Sequence, residues 1–326
     1  MLWLLVLALL ALAAGSLLLG YRGIGAGVIW QALTAYDPMD PAQVALVGVR
    51  LPRLLAGLIA GGALGVAGMV MQAVTRNPLA DPGLLGVNAG ASFSLLLGAT
   101  LAGRSDAAAL SLLCLPGAGI AALVVFALGG GLRGDAGPVR LTLAGTALNA
   151  FLLSLVTAIV LLRQESMEVY RFWVAGSLTE AGQRPMALMA ALALAGAAVA
   201  LLLAPRMEAL SLGAALSRGL GSHPGRVQAG ALLAVTLTTG AAVGVAGPIA
   251  FLGLVVPPLA RRLVGHDLRR GLLAAALLGA LLLLAADLAG RLVLAPAEIR
   301  AGIMTALLGG PVFIWIARGL RPGASA

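Results

Sequence analysis

"RLLAGLIAGGALGVAGMVMQ", Arg53 to Gln72, is the stretch on which the fold turns. Crossing the hydrocarbon of a bilayer takes about 20 apolar residues in a helix, and this run supplies them. Gly57, Gly61 and Gly65 recur every four residues, so a helix places them on one smooth face. Small residues on such a face let two backbones approach closely, which holds helices together in lipid.

The rest of the chain has the same character. Of its 326 residues, 61% are hydrophobic and 10% charged, and the mean hydropathy is +1.05. A soluble domain carries roughly 25% charged residues. This chain has too little polar surface to face water, so it reads as a single all-α polytopic membrane domain over residues 1–326. All 21 basic residues are arginine, and the net charge is +9. They are scattered between apolar runs, so the charge does not point to nucleic acid, and no nucleic-acid partner is expected. Cys114 is the sole cysteine, so no disulfide can form within the chain. The N-terminal run "MLWLLVLALLALAAGSLLLG" lacks a basic leader and reads as a first span, not a cleaved signal.

Apolar runs at 2–20, 53–74, 88–103, 108–131, 141–163, 186–204, 228–247, 249–265, 271–290 and 302–317 predict ten transmembrane helices. With an even number, both termini lie on one side. Placing them in the cytoplasm puts "RRLVGHDLRR" (Arg261–Arg270) and "RGLR" (Arg318–Arg321) inside, as the positive-inside rule prefers. "GALGVAG" (Gly62–Gly68) returns as "GAAVGVAG" (Gly240–Gly247), on helices of opposite predicted direction. An inverted repeat of this kind is a signature of transport folds.

No catalytic set is visible. His223 and His266 have no second ligand at metal-binding spacing, and no metal site is expected. With no lysine in the chain, a GxxxxGK[ST] phosphate loop cannot exist. If transport uses ATP, the ATPase is another chain.

Four connections carry information. "RLPR", Arg50 to Arg53, precedes the second span, and its Leu-Pro predicts an extended or turn approach. Asp287 and Arg291 are four apart on a helix and can pair. "MEALSLGAALSRGLGSHPGRVQ", Met207 to Gln228, is too polar to span; its middle, Leu210 to Leu220, predicts a short amphipathic helix on the inner surface. "TRNPLADPGLLGV", Thr75 to Val87, is a proline-broken loop at the inner mouth.

"RLPRLLAGLIAGGALGVAGMVMQAVTRNPLADPGLLGVNAGA", "GPIAFLGLVVPPLARRLVGHDLRR" and "AADLAGRLVLAPAEIRAGIMTALLGGPVFIWIA" together resemble the FecCD/BtuC-type permeases of type II ABC importers, which take up iron-siderophores, haem or cobalamin. The resemblance covers essentially the whole chain. It implies a homodimer of permeases in the bacterial inner membrane, two cytosolic ATPase subunits that hold ATP and Mg, and a periplasmic substrate-binding protein. No cofactor is implied in this chain. Arg50, Arg53 and Arg291 match arginines that dock the binding protein. Ser211, Leu212, Gly213, Ala214, Ala215, Ser217, Arg218, Gly219, Leu220 and Gly221 match the coupling helices, about 207–226, that seat on the ATPase. Asn77 and Leu79 match a cytoplasmic gate, with the loop around Asp135 to Val139 as a neighbouring constriction. Pro257-Pro258 departs from the Pro-His often found in the family, so no role for that histidine carries over.

"RFWVAGSLTEAG", Arg171 to Gly182, resembles a stretch common in siderophore members and favours an iron(III)-siderophore over haem or cobalamin. Two other classes compete. An ion-coupled secondary transporter should place charges at mid-membrane, but here they lie near span ends. A membrane enzyme needs a catalytic set, and none is present.

Overall fold

The computed structural model describes residues 1–20, 23–103, 106–131, 138–219 and 221–319, and among these every regular element is helical. Ten helices correspond to the ten expected spans: α1 (Leu2–Leu18), α4 (Leu51–Thr75), α5 (Val87–Ala102), α6 (Ala107–Leu128), α7 (Pro138–Leu162), α9 (Met186–Ser211), α11 (Pro224–Ala246), α12 (Leu252–Val264), α13 (Leu268–Val293) and α14 (Ala301–Gly319). Between them come α2 (Ala26–Thr34), α3 (Pro41–Ala45), α8 (Gln164–Val174) and α10 (Ala214–Gly219). Among the described residues six helices are long and apolar enough to cross a membrane: Pro41–Thr75, Ala107–Leu128, Val139–Leu162, Met186–Ser211, Pro224–Ala246 and Leu268–Val293. Leu2–Leu18, Val87–Ala102 and Ala301–Trp315 are shorter apolar helices. The protein is a multi-pass membrane protein.

α4 is the central helix and packs against α13, α11, α12 and α9. Its glycine face does what the spacing predicts. A Cβ on Gly61 would stand 2.8 Å from Ala280 Cα, and one on Gly65 would stand 2.8 Å from the Ala275 carbonyl carbon. Gly279 of α13 faces Gly61 in the same way. Backbone therefore meets backbone along this seam, and any side chain would force the helices apart. The repeat segments lie on α4 and α11, which pack on each other.

The approach to α4 differs from expectation. "RLPR" is neither extended nor a turn. α3 passes through a π-helical turn, Leu46–Arg50, directly into α4, and Arg50 is helical at φ −71°, ψ −42°. The wider π turn loosens the backbone just where Pro52 must fit. Pro52, which has no N–H to donate, stands in the first turn after it. The Asp40 side chain caps α3 by accepting from the Ala42 N–H at 2.9 Å.

The segment at 207–226 also differs. Met207 to Ser211 is the last turn of α9, Pro224 opens α11, and one short helix, α10, stands between them. The expected helix from Leu210 to Leu220 is thus cut at Gly213, whose φ of +119° only glycine adopts readily.

Candidate functional site

Three chemically distinct places emerge, two at opposite ends of α4 and one beside the second. At the Arg53 end a charged cluster ties α1, α4 and α13 together. Arg53 Nε donates to both oxygens of Asp287 at 2.9 and 3.0 Å, and its Nη2 lies 2.8 Å from Asp287 Oδ1. Arg53 Nη1 reaches Glu298 Oε2 at 2.8 Å. Arg291, one turn beyond Asp287 on α13, stands 3.2 Å from Asp287 Oδ2, and its Nη2 donates to Ser16 Oγ at 2.7 Å. The expected Asp287–Arg291 pair is present, and Arg53 shares it. Exposure is 5% for Arg53, 6% for Arg291 and 1% for Asp287, so this is a buried ion cluster. Glu298, at 44%, is its solvent-facing member. Arg50 points elsewhere: its Nη1 donates to the Leu17 and Leu18 carbonyls at 2.6 and 3.1 Å. Those carbonyls belong to the last turn of α1, where a cation is favoured, and the Leu18 carbonyl also accepts from the Ile24 N–H at 3.0 Å.

At the other end of α4, Arg76 takes a left-handed conformation (φ +51°) and stops the helix. Asn77 Oδ1 then accepts from the Leu79 N–H at 2.9 Å, and Ala80 N–H donates to the Asn77 carbonyl at 3.1 Å. The result is a tight turn that leaves Asn77 and Leu79 exposed. Asp81 Oδ1 accepts from the Gly83 N–H at 2.7 Å and caps a single 3₁₀ turn, Pro82–Leu85. Pro82 lies against Gly253 of α12. Packing there shields the Asp81 carboxyl and pushes its pKa up, against the pull of the Gly83 N–H.

The loop is held from several sides. Gln72 Nε2 donates to the Leu254 carbonyl at 3.2 Å and the Ala80 carbonyl at 3.4 Å, while Gln72 Oε1 accepts from Arg261 at 3.0 Å. Asn149 of α7 donates to the Gly83 carbonyl at 3.2 Å. Arg76 Nη2 donates to the Leu210 carbonyl at 2.6 Å, which links the loop to the end of α9. None of Gln72, Asn149 or Arg261 was expected at this loop from the sequence. A lone glutamine deep in the apolar run beside the loop was the available signal.

The α10 segment follows directly from Leu210. Ser211 and Leu212 end α9, and Gly213 makes the turn. Ser217 is fully buried, whereas Leu212 and Leu216 are 64% and 55% exposed, with Arg218 and Gly219 also outward. Gly221 (φ +75°) donates to the Arg218 carbonyl at 2.9 Å and closes the segment. Of the side chains of Ala214 and Ala215 nothing is described. Leu220 lies outside the described residues, as does the loop at Asp135 apart from its last residues, Pro138 and Val139. His223 serves as the N-cap residue of α11. Among the described residues no group of three His, Cys, Asp or Glu could hold a metal ion.

Residues 4–319 match the FecCD transport family. The chain is 45% identical to the ferric enterobactin transport system permease protein FepD of Escherichia coli (strain K12), over 96% of this chain and 93% of that protein. It is 36% identical to the hemin transport system permease protein HmuU of Yersinia pestis, over 97% of this chain and 94% of that one. Among solved structures, a metal-chelate type ABC transporter in an inward-facing conformation superposes with a TM-score of 0.83 at 28% identity, covering 98% of this chain and 99% of that chain.

Proposed function

Because the chain belongs to the FecCD transport family, we propose that it is the membrane permease subunit of an ATP-binding-cassette importer that moves an iron(III)-siderophore inward. The observation that carries the substrate is the 45% identity, over nearly full length, to a ferric enterobactin permease. The hemin permease is more distant at 36%, which favours a siderophore over haem.

In this reading two copies pair, both termini are cytoplasmic, and the Arg53 end faces the periplasm. The exposed face of α7 supports pairing. It presents Leu143, Phe151 and Leu161 together with Thr146, Ser154 and Thr157, whose hydroxyls are already bonded to carbonyls of their own helix. Such a face mixes apolar and hydroxyl side chains but leaves little free hydrogen-bonding demand, which suits either a second helix or a passing chelate. α10 sits on a cytosolic ATPase carrying ATP and Mg, with Leu212 and Leu216 as its apolar contacts. Arg76, bonded to Leu210, hands motion of that segment to the Asn77–Leu79 gate. The substrate-binding protein docks through the arginine cluster. Because Arg53 and Arg291 are buried and already paired, a docking glutamate takes the place that Glu298 now holds on Arg53.

Two measurements test this. With its ATPase in proteoliposomes, the permease should hydrolyse ATP faster when siderophore-loaded binding protein is added; no stimulation refutes the importer. For docking, Glu298→Gln frees a donor of Arg53 and should tighten binding-protein association. Arg53→Glu should abolish association, and unchanged affinity in both variants removes the cluster from docking.

A further inference from the structure

A cavity of about 420 Å³ opens at the Arg53 end of the bundle, lined by none of the charged cluster's residues. Its walls come from the start of α6, from α8 and from the connection before α9; Leu110, Phe172, Trp173, Glu180, Arg184 and Arg300 define it. That volume falls within the range of small-molecule sites.

Arg184 makes the cavity chemically unusual. Its side chain is 9% exposed. Nη1 donates to the Val245 carbonyl, but Nε is buried with no partner. The nearest carboxylate, Glu180, is 3.9 Å from Nη2 and is itself 65% exposed. A buried guanidinium without a close counter-ion is costly, and burial here pulls its pKa down. Nε is too enclosed for a ligand to reach, so Nη2, held only by Glu180 at 3.9 Å, is the donor left for a closer anion. The two acids of the wall, Glu168 and Glu180, sit at the exposed rim where water screens them. At the same rim Phe172 is 52% exposed and has two cations near its ring, Arg171 at 5.1 Å and Arg300 at 4.5 Å from the ring centre.

We propose that this cavity is an arrival subsite for an anionic oxygen group of the metal chelate, with Arg184 receiving the anion and Phe172 supporting the chelate's flat or apolar edge. The proposal rests on the importer reading and gives it a preference for acidic chelates. The same chemistry could be offered by an acidic side chain of the delivery protein. One such side chain would fill only a fraction of the space, which is why the chelate is the occupant argued here.

The test uses the permease–ATPase complex in nanodiscs without binding protein. The probes are radiolabelled iron(III)–citrate and an uncharged iron(III)–trihydroxamate. Arg184→Gln should weaken citrate-chelate binding by about tenfold, the effect of losing one charge-assisted hydrogen bond. Arg184→Lys should recover most of it, and trihydroxamate binding should not change in either variant. Leu110→Trp, which fills the cavity and leaves the arginine in place, should weaken the citrate chelate too. Wild-type affinity in Arg184→Gln overturns the proposal, as does the absence of citrate-chelate binding by the wild type. If Arg184→Gln lowers affinity for the binding protein and leaves chelate binding intact, the anion belongs to the delivery protein and the proposal also falls. Stimulation of wild-type ATP hydrolysis by loaded binding protein is scored separately, so failure of the subsite and failure of the importer reading give different results.

Discussion

Replacing Asp287 with alanine should be among the most damaging single changes at the Arg53 end of the bundle. Asp287 is 1% exposed and holds two arginines that are themselves 5% and 6% exposed. It accepts from Arg53 at 2.9 and 3.0 Å and faces Arg291 across 3.2 Å. Removing it leaves two buried cations, one with only Glu298 and one with only Ser16. Breaking a buried pair by deleting one partner costs about 3–5 kcal/mol, mostly because the survivor is left uncompensated. At roughly 2 °C per kcal/mol for a chain of this size, the unfolding midpoint in detergent should fall by about 6–10 °C. The informative control is Arg53→Met combined with Asp287→Ala. With one cation gone along with its counter-ion, the double variant should unfold at a higher temperature than Asp287→Ala alone. A fall of under about 2 °C for Asp287→Ala, or a double variant no better than the single, would refute the claim that the cluster is held together as a buried ion network.

Further outcomes are open to direct measurement. Gly65→Ala drives a Cβ against the Ala275 carbonyl, so it should lower stability by about 1–3 kcal/mol, read as a reduced midpoint and loss of monodisperse protein. Leu216→Asp should weaken association with the ATPase roughly tenfold or more, since burial of a leucine is worth about 1.5–3 kcal/mol; co-purification of the two subunits reports it. Leu79→Ala should raise ATP-independent leakage of chelate from loaded vesicles, and unchanged leakage and transport would remove Leu79 from the gate. Asp81→Asn bears on pH. The folded carboxyl holds its proton more tightly than the unfolded one, so stability falls as pH rises from the usual carboxylate range up to the raised value. The asparagine variant keeps a carbonyl for the Gly83 N–H and should lose that slope in a thermal-shift series.

Much of the fold was legible because the signals are local. Ten apolar runs, a glycine every fourth residue on α4 and an acid one turn before Arg291 are all facts about neighbours along one helix. What could not be read was pairing across distance. Arg53 and Asp287 are 234 residues apart, and no periodicity announces that they meet. The "RLPR" approach was misjudged because a proline in the first turn of a helix leaves the same local trace as one that breaks it. The short helix at 214–219 was placed too early and too long because Leu210 to Leu220 keeps a helical alternation through Gly213, and only a positive φ there cuts it. The loop at 75–87 was recognised as broken, but its anchors, Gln72, Asn149 and Arg261, come from three different helices.

The seam between α4 and α13 sets a rule for how such a molecule can move. Where side chains interlock, one helix can click past another by changing rotamers. Where carbonyl rests on glycine there is nothing to rotate, so sliding must cross a steric wall at every step. The two helices are therefore one beam. Under the proposed function, a stroke delivered at α10 should bend the connections at the ends of that beam while its centre travels as a piece.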